Sequence, residues 1–593
     1  MTHYDIKDRL AALRGWMLRR GVCAFIVPST DPHSGEYVPA HWESRAWLSG
    51  FTGSAGTVAV TAREAGLWTD SRYYIQAEQQ LKGTGITLFR ERVDGTPSIA
   101  GWLGSVLPAG ATIGIHGRVN TAASIFALRE KLSEYGLILA STEDPFDELW
   151  TDRPPIPEGQ PFVLPPEYTG MGSREKIRQI RKSLDELHAD GILISALDEI
   201  AWALNMRGND VHCNPVFVSY LLIGRSSAYI YINKVKVSPE MAAYLDGLGI
   251  SIKEYNDVLA DLGAMRGRRI ILPTNSNYAL FEAASGHNDT VTADSPVLLL
   301  KAVKNDTEIA GFRSCMVRDG LALVKFLIWL EEAVPLGHET EVSVDKKLYE
   351  LRSEQKHFAG ISFDTIAGYQ DHGAIVHYVA TEESAYTLKP EGWLLLDSGA
   401  QYLDGTTDIT RTIVLGPVTD EQRRDYTLVL KGMIALSRVV FPLGTSGTQL
   451  DVLARQFMWA EGINYGHGTG HGVGHYLNVH EGPHQIRMNY MPAPLLPGMT
   501  VTNEPGIYKS GRYGVRTENT MLIVKDKDTE FGAFCRFEPL TLCPIDLRPI
   551  NLSMLTPPER DWLNEYHRQV YESLSPWLSN AERAWLKEAT KNI

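Results

Sequence analysis

Residues 397–412, DSGAQYLDGTTDITRT, lie between two apolar runs, and they decide how the fold is predicted. The flanking runs at 393–396 and 413–415 predict buried β-strands, and Asp404 with Gly405 predicts a turn between them. The stretch therefore indicates a core hairpin that contains Asp397 and Asp408. A buried ionised carboxylate is costly unless positive charge compensates it, so these two acids need a partner.

The spacing of the two acids bears on which face of the hairpin they occupy. An odd separation puts both side chains on one face when the loop has an even number of residues. A two-residue turn at Asp404 and Gly405 would set Asp397 opposite Thr412, however, and leave the carboxylates too far apart. A different loop or a bulge is needed to bring them together. Taken alone, the pair fits either a metal site or solvated turn residues.

A glycine-dense segment at 466–475, GHGTGHGVGH, adds three histidines. Histidines four residues apart can share a metal on a helix, but this many glycines argues against a stable helix. Glycine permits close approach of the backbone to a ligand, so one histidine as metal ligand and another as substrate contact is favoured over a helical pair. The alternative is a flexible loop with incidental histidines. His480 follows closely and fits either a structural or a catalytic imidazole.

A second apolar hairpin, predicted over 499–524, also contains acids. Glu504 ends one strand before a Pro-Gly turn, and Glu518 lies within the other strand. Two hairpins that each contribute two carboxylates suggest two halves facing one site. Arg411 and Arg516, each close to an acid, fit either partners of the site or ordinary salt bridges.

Length and composition bound the class of protein. A chain of 593 residues predicts two to four domains. The net charge of −14 argues against sequence-independent binding of nucleic acid, and no apolar run reaches the roughly 20 residues that span a bilayer. Five scattered cysteines and a charged N-terminal stretch indicate neither a disulfide framework nor a secretory signal. We therefore expect a cytoplasmic protein that contacts neither nucleic acid nor membrane.

Two boundaries divide the chain. The proline-rich stretch 153–161 cannot continue a helix or a central strand, and a faint helix–glycine–strand repeat occurs on either side of it, at 13–27 and 180–195. Asn305 or Asp306 is predicted to cap a long helix through Glu332. We predict two related α/β domains, 1–158 and 159–305, followed by a third domain, 306–593, that contains nearly all the candidate chemistry.

The candidate ligands, in chain order, resemble the five-ligand dinuclear site of the pita-bread metallopeptidases, which include methionine aminopeptidase, prolidase and aminopeptidase P. They are Asp397, Asp408, His471, Glu504 and Glu518. Eight further motifs resemble the large, three-domain, cytosolic aminopeptidase P. They are HGAIVHY at 372–378, DSGAQY at 397–402, HGTGHGVG at 467–474, LNVHEGP at 477–483, FEPLTL at 537–542, GFTGSAG at 50–56, WTDSRY at 68–73 and WLNEYH at 562–567.

The resemblance implies a fold, a metal site and roles. It implies two creatinase/prolidase N-terminal-like α/β domains before a pita-bread catalytic domain with a C-terminal extension. Asp408 and Glu518 would bridge two divalent ions, Asp397 would bind one of them, and His471 with Glu504 the other. Oxygen-rich ligands with one imidazole suit Mn²⁺, which we favour, and also Zn²⁺ or Co²⁺.

By the same resemblance the reaction is release of the first residue from peptides with proline at the second position. Glu504 would help activate the water shared by the two ions and would shuttle its proton. His480 would stabilise the oxyanion that forms when this water attacks the peptide carbonyl. His377 and His467 would contact substrate. The residues expected to shape the proline pocket are Val479, Tyr508 and Arg516. A homodimer is also implied, although the tryptophan-bearing tail 561–593 could equally pack on its own domain.

Other functions remain open. Prolidase, which cleaves Xaa-Pro dipeptides, shares the metal set, but the extra domain and the tail favour aminopeptidase P. Residues 1–305 count against methionine aminopeptidase, which usually needs only the catalytic domain. A non-catalytic binding module of the same fold would lack ligands, and a metal-free creatinase-type enzyme would not need the acids.

Overall fold

The computed structural model describes residues 3–593, which form two compact units. The first comprises the chain up to Val163 together with Gly172–Val297, and the second comprises Leu164–Met171 together with Leu298–Ile593. Within the described range, none of the helices is long and apolar enough to cross a membrane.

The first half of the first unit is a mixed six-stranded sheet flanked by helices. The strands are β1 (Ala24–Pro28), β2 (Thr57–Thr61), β3 (Ala65–Thr69), β4 (Thr87–Arg90), β5 (Thr112–His116) and β6 (Ile138–Thr142). The helices are α1 (His3–Arg20), α2 (Ser44–Ser49), α3 (Tyr74–Gln80), α4 (Ile99–Val106), α5 (Ala122–Ser133) and α6 (Phe146–Leu149). The sheet order is β4-β3-β2-β1-β5-β6, with β1 antiparallel to β2 and parallel to β5.

The second half repeats this arrangement. The strands are β7 (Phe162–Val163), β8 (Gly191–Ile194), β9 (Met206–Arg207), β10 (Tyr220–Gly224), β11 (Ala228–Tyr231), β12 (Ser251–Lys253), β13 (Arg269–Pro273) and β14 (Asp289–Ala293). The helices are α7 (Pro166–Thr169, in the second unit), α8 (Ser173–Glu186), α9 (Leu197–Ala203), α10 (Pro239–Gly247), α11 (Asp257–Ala264), α12 (Tyr278–Ser285) and α13 (Pro296–Ala302). The order β12-β11-β10-β8-β13-β14 has the same strand directions as the first sheet. The prediction of two related α/β domains is confirmed.

The second unit contains the candidate site. Its strands are β15 (Phe358–Ile361), β16 (Ile366–Tyr369), β17 (Trp393–Ser398), β18 (Ala400–Tyr402), β19 (Gly405–Thr406), β20 (Ile409–Val414), β21 (Val440–Pro442), β22 (Gly470–Gly472), β23 (Glu481–Ile486), β24 (Thr500–Asn503), β25 (Gly506–Lys509), β26 (Tyr513–Arg516), β27 (Asn519–Thr529) and β28 (Gly532–Pro539). Its longer helices are α14 (Asp306–Ala333), α15 (Glu341–Ser353), α16 (Asp420–Ser437), α17 (Gly447–Ala460), α18 (Pro557–Leu574) and α19 (Asn580–Ala589).

Two of the sheets in this unit position the metal-binding candidates, which lie in their strands or directly beside the strand ends. A three-stranded sheet has the order β16-β17-β20, and a six-stranded sheet has the order β21-β28-β27-β24-β22-β23. The buried helix α16 and the side chains of Trp393, Tyr513 and Val515 lie in one apolar core. This dry core gives the site a rigid support, because close-packed interiors resist displacement.

The ends of the unit clarify two sequence predictions. Asn305 caps α14 in a capping box with Glu308, as predicted, and the helix ends at Ala333. In the tail, α18 buries Leu563, Tyr566 and Val570 in the core of the same unit, so this helix packs on its own domain. Domain boundaries at 158 and 305 remain a prediction.

Candidate metal centre and substrate site

The hairpin with the first two acids has a different turn from the one predicted. Asp397 pairs with Thr410, and Tyr402 pairs with Gly405, so the two turn residues are Leu403 and Asp404. This turn lies one residue earlier than the expected turn at Asp404 and Gly405. With that register, Asp408 lies diagonally across from Asp397 on the same face, and no bulge is needed.

Asp397 is buried and has one partner for its two oxygens. Arg516 Nη2 donates to Asp397 Oδ2 at 2.6 Å, whereas Oδ1 has no hydrogen-bond partner among the described residues. Burial raises the pKa of Asp397 to about 6; the nearby Asp408 charge adds to this effect, and Arg516 opposes it. The free oxygen is therefore available to an additional cation.

His471 lies on the short strand β22 between two acids. Its Nδ1 donates to the Gly472 carbonyl at 2.9 Å, which leaves Nε2 pointing to Asp408 Oδ2 at 3.4 Å and Glu504 Oε1 at 3.6 Å. Burial lowers the pKa of this imidazole, but the hydrogen bond to Asp408 and the charge of Glu504 outweigh burial and raise it to about 9. A fixed Nδ1–H with Nε2 left for an ion is the usual arrangement of a metal-binding histidine.

Glu504 and Glu518 complete the cluster. The Glu504 backbone N–H binds the Thr469 carbonyl at 2.8 Å, and Thr410 Oγ1 donates to Glu518 Oε2 at 2.7 Å. Burial raises the pKa of Glu504 to about 7 and that of Glu518 well above its usual value, and neighbouring carboxylates add to both shifts. Glu518 Oε1 is a second buried oxygen without a hydrogen-bond partner among the described residues.

This arrangement fits divalent cations. Ligand atoms of Asp408, His471 and Glu518 all lie within 4.8 Å of one another. The four carboxylates repel one another unless positive charge is added, and two dications would ionise them all. All of them are buried except that of Glu504, which is partly exposed. The two orphaned oxygens of Asp397 and Glu518 lie on opposite hairpins, so each hairpin offers a free ligand atom.

A polar chain connects the substrate candidates to this cluster. His467 Nδ1 donates to the Gly468 carbonyl at 2.7 Å, so its Nε2 accepts from the Tyr508 hydroxyl, also at 2.7 Å. Arg516 Nη1 donates to the same hydroxyl at 2.7 Å, and its Nη2 binds Asp397. The structure thus brings His467, Tyr508 and Arg516 together beside a candidate ligand.

The remaining candidates lie at different depths. The His480 ring meets the His471 ring edge-on, with centroids 4.3 Å apart, and Val479 is fully buried. His377 is half-buried and follows the 3-10 turn Gln370–Ala374. His480 therefore lies directly against the cluster, and His377 lies on the segment that joins β16 to β17.

Several supporting residues were not identified from the sequence. Arg455 donates to the carbonyls of Tyr465 and His467, both at 2.8 Å, and to Asp451 at 2.6 Å, so it holds the glycine-rich segment in place. The spacing of Asp451 and Arg455, four residues apart on a helix, was the only signal. Thr410, which donates to Glu518, had none.

Two further supports concern residues next to the site. Glu481 follows His480 in the chain and binds two buried lysines, Lys301 at 2.5 Å and Lys304. Arg411, left open as a site partner or a salt bridge, supports the site through backbone carbonyls. It donates to the carbonyls of Glu518, Cys543 and Pro544 and so fixes the backbone behind the cluster.

Models of known protein families match successive parts of the chain. The model of metallopeptidase family M24 matches residues 310–525, and that of the C-terminal region of peptidase M24 matches 533–593. Models of the creatinase/prolidase N-terminal domain match 9–149 and 152–308.

Relatives resemble the chain over its whole length. A protein named probable Xaa-Pro aminopeptidase P from Paracoccidioides brasiliensis is 40% identical over 619 aligned residues, with 100% of both chains covered. The solved X-prolyl aminopeptidase of Caenorhabditis elegans, described as a cytosolic enzyme with a di-nuclear active site, is 35% identical with a TM-score of 0.96 and 100% of both chains covered. An Xaa-Pro dipeptidase from Bacillus anthracis is 26% identical with a TM-score of 0.51, covering 63% of this chain and 99% of its own.

Proposed function

The chain belongs to metallopeptidase family M24, and from that membership we propose that it removes the first residue from peptides whose second residue is proline. The observation that supports this function most strongly is the match to Xaa-Pro aminopeptidases along the entire chain, including both N-terminal α/β domains. The buried cluster of four carboxylates and one imidazole supplies the chemistry that such a reaction requires.

The family has a di-nuclear metal centre, and we propose that five residues hold it here. They are Asp397, Asp408, His471, Glu504 and Glu518. Bound divalent ions would neutralise the carboxylates and supply Lewis-acid activation of the attacking water. We propose Mn²⁺, with Zn²⁺ or Co²⁺ as alternatives, because oxygen ligands with one imidazole suit all three.

Glu504 is the proton carrier in this proposal. Its Oε1 lies 3.6 Å from His471 Nε2, within the cluster of candidate ligands, where a carboxylate can take and give the proton of an attacking water. It takes the proton of the attacking water as the C–O bond forms. It then gives that proton to the imino nitrogen of proline as the C–N bond breaks, so no other proton donor is required.

The substrate is held by the imidazoles and the polar chain. His480 would donate to the oxyanion that forms at the scissile carbonyl, a role supported by its edge-on contact with His471. His377 and His467 would contact the peptide. Val479, Tyr508 and Arg516 would shape the pocket for the proline that follows the scissile bond.

Prolidase activity is the second candidate, supported by the match to an Xaa-Pro dipeptidase. That match leaves more than a third of the chain uncovered, because it extends over 63% of it. The aminopeptidase is favoured because its relatives match the chain over its full length.

Assembly and location are further parts of the proposal. We propose a homodimer, in keeping with the family resemblance, and a cytoplasmic location, as described for the enzyme from Caenorhabditis elegans. Size-exclusion chromatography with light scattering tests the first, because a dimer doubles the 65.9 kDa of one chain.

Peptide hydrolysis tests the proposed function. Chelator-stripped enzyme is assayed on an Xaa-Pro-Pro tripeptide and on the matching Xaa-Pro dipeptide, before and after addition of Mn²⁺ or Zn²⁺. Metal-dependent release of the first residue from the tripeptide, with the dipeptide nearly inert, is expected. Preference for the dipeptide would identify a prolidase, and cleavage of neither with metal bound would favour a binding module.

A further inference from the structure

The segment between β16 and β17 has little regular structure apart from a short 3-10 turn, yet it includes His377. Ordering such a segment costs conformational entropy at every residue, so a precise position for His377 requires specific anchors. Those anchors converge on one side chain outside the segment.

Glu341, the first residue of α15, is fully buried and accepts hydrogen bonds from four residues, of which one ends β16 and three lie in this segment. The donors are the backbone N–H of Tyr369 at 2.7 Å, His372 Nδ1 at 2.9 Å, the Tyr378 hydroxyl at 3.0 Å and the backbone N–H of Tyr386 at 2.8 Å. Two donors precede His377 and two follow it. One carboxylate therefore fixes the chain on both sides of this histidine.

Aromatic stacking reinforces the same anchor. The His372 ring lies between Tyr378, with centroids 4.3 Å apart, and Tyr386, with centroids 3.8 Å apart and planes 9° apart. All three residues of this stack also donate to Glu341. His372 and Tyr378 donate through their side chains, and Tyr386 donates through its backbone N–H. The carboxylate and the stack thus form one connected polar and aromatic support.

The anchored segment also contacts the hairpin that bears Tyr508 and Arg516. A Cβ atom placed on Gly514 would come within 1.7 Å of the Gly373 carbonyl oxygen, so the two backbones meet where no side chain fits. Gly514 is two residues from Arg516 on β26. Glu341 therefore holds the segment in contact with the element that binds Asp397.

We propose that Glu341 is a positioning residue for peptide binding, acting through His377. This inference rests on the substrate-contact role of His377 in the proposed function. The hydrogen bonds that the Glu341 carboxylate accepts come from Tyr369, His372, Tyr378 and Tyr386, and none of these residues is a candidate metal ligand. Its loss should therefore weaken peptide binding while leaving metal occupancy unchanged.

Hydrogen exchange of the metal-loaded full chain tests the anchoring directly and does not depend on activity. Glu341→Gln keeps the size of the side chain but replaces one acceptor oxygen with an N–H donor. We expect exchange across 369–386 to accelerate by at least about tenfold, while exchange across 466–475 stays at the parental rate. Glu559→Gln is the matched control, because Glu559 is a buried carboxylate bound to Lys431 elsewhere in the unit, and it should leave both segments unchanged.

A double-mutant cycle tests the route through His377. Glu341→Gln should raise KM for the Xaa-Pro-Pro tripeptide by about tenfold, with a smaller change in kcat and with parental metal content. In a His377→Ala background the same change should alter kcat/KM by less than about twofold, because the positioned group is already absent. If Glu341→Gln does not fold, Tyr378→Phe removes one of the four donors and should shift KM and exchange in the same direction.

Other results would overturn the inference. If exchange across 369–386 stayed at the parental rate in Glu341→Gln and in Tyr378→Phe, Glu341 would not anchor the segment. If the losses in kcat/KM from Glu341→Gln and His377→Ala multiplied in the double variant, the two residues would not be coupled. His377→Ala with parental kcat/KM would refute the substrate role of His377 and the route assigned to Glu341. Failure of the parent to cleave the tripeptide would refute the proposed function itself, whereas the exchange result would stand.

Discussion

Four carboxylates surround the imidazole of His471 in a largely buried cluster. They belong to Asp397, Asp408, Glu504 and Glu518. Without added positive charge, burial and mutual repulsion favour protonated forms, and the pKa of Asp397 rises to about 6 and that of Glu504 to about 7. His471 responds in the opposite sense, because the neighbouring acids favour its charged form and raise its pKa to about 9. Metal ions and protons therefore compete for the same groups.

The first prediction concerns this competition. At pH 7 metal-free His471 is protonated and must lose its proton to bind an ion, so metal uptake should release at least one proton. Affinity should rise as the pH increases from about 6 to about 9. Titration calorimetry with Mn²⁺ in buffers of different ionisation enthalpy measures the release. If the heat of Mn²⁺ binding did not depend on the ionisation enthalpy of the buffer, no proton would be released, and this would contradict the ligand role of His471.

Activity should follow metal occupancy on acidification. We expect kcat/KM and bound metal to fall together below about pH 6, because protons then displace the ions from His471 and the carboxylates. Parallel assays of hydrolysis and metal content after desalting check this expectation. If activity fell while metal stayed bound, a group other than a metal ligand would be responsible for the loss.

The polar chain gives a prediction for a single hydroxyl. Tyr508→Phe removes the group that donates to His467 and accepts from Arg516. We expect kcat/KM to fall by roughly 10- to 100-fold, because Arg516 is left with an unmet donor and His467 loses its orientation. Metal content should stay parental, since Asp397 keeps its bond to Arg516. Stoichiometric loss of metal in this variant would show that the hydroxyl supports the metal centre instead.

At the scale of elements, sequence reasoning succeeded where a periodic or spacing rule applies. The separation of Asp397 and Asp408 predicted one shared face, and the capping pattern at Asn305 predicted the start of α14. The turn was misplaced by one residue. Asp404 and Gly405 are the stronger turn residues, but the pairing of Tyr402 with Gly405 puts the turn at Leu403 and Asp404. Local turn preference was overridden by the register of the flanking strands.

Supports that come from distant parts of the chain could not be predicted. Thr410 binds Glu518 across 108 positions, and Glu341 binds Tyr378 across 37. Such contacts leave no periodic pattern in a single sequence. The candidate ligands were accessible from residue type and order, whereas the groups that orient them were not.

The segment after α17 depends on one buried ion pair. Arg455→Met removes four hydrogen bonds and leaves Asp451 buried beside Thr469 without its cation. We expect a loss of about 3–5 kcal/mol in the free energy of unfolding, measured with urea. Asp451→Asn combined with Arg455→Met should cost less than the sum of the single variants, because the uncompensated charge is gone. Additive losses would show that the pair is not coupled.

At the scale of the whole molecule, the first unit contains the same sheet order twice, and relatives match the chain from end to end. The repeat was detectable from helix–glycine–strand patterns at 13–27 and 180–195, which correspond to α1 with β1 and to α8 with β8. Strand order was not detectable, because antiparallel and parallel neighbours on one sheet have similar apolar runs.

Acid stability of the second unit follows from two buried neutral histidines. Burial lowers the pKa of His484 to about 4 and that of His567 to about 3. The unfolded chain takes up protons near pH 6.5 and the folded chain does not, so stability falls as the pH drops from about 6.5 towards these values. At pH 5 each histidine should cost about 2 kcal/mol relative to pH 7.

Urea unfolding at pH 7 and pH 5 measures this loss. His567→Gln keeps an acceptor for the Ile545 backbone N–H, which binds Nε2 at 3.0 Å, but cannot be protonated in this range. The difference between the two pH values should shrink by about 2 kcal/mol in this variant. An unchanged difference would show that His567 does not contribute to acid sensitivity.

We propose that five residues bind two ions at one centre, and anomalous diffraction can locate those ions. Crystals of the full chain are soaked with Mn²⁺ after chelator treatment, and difference maps are recorded near the manganese edge. We expect two peaks roughly 3.5–4 Å apart, both contacted by Asp408 and Glu518, with Asp397 on one and His471 with Glu504 on the other. No peak within this cluster, in enzyme that still hydrolyses the tripeptide on Mn²⁺ addition, would contradict it.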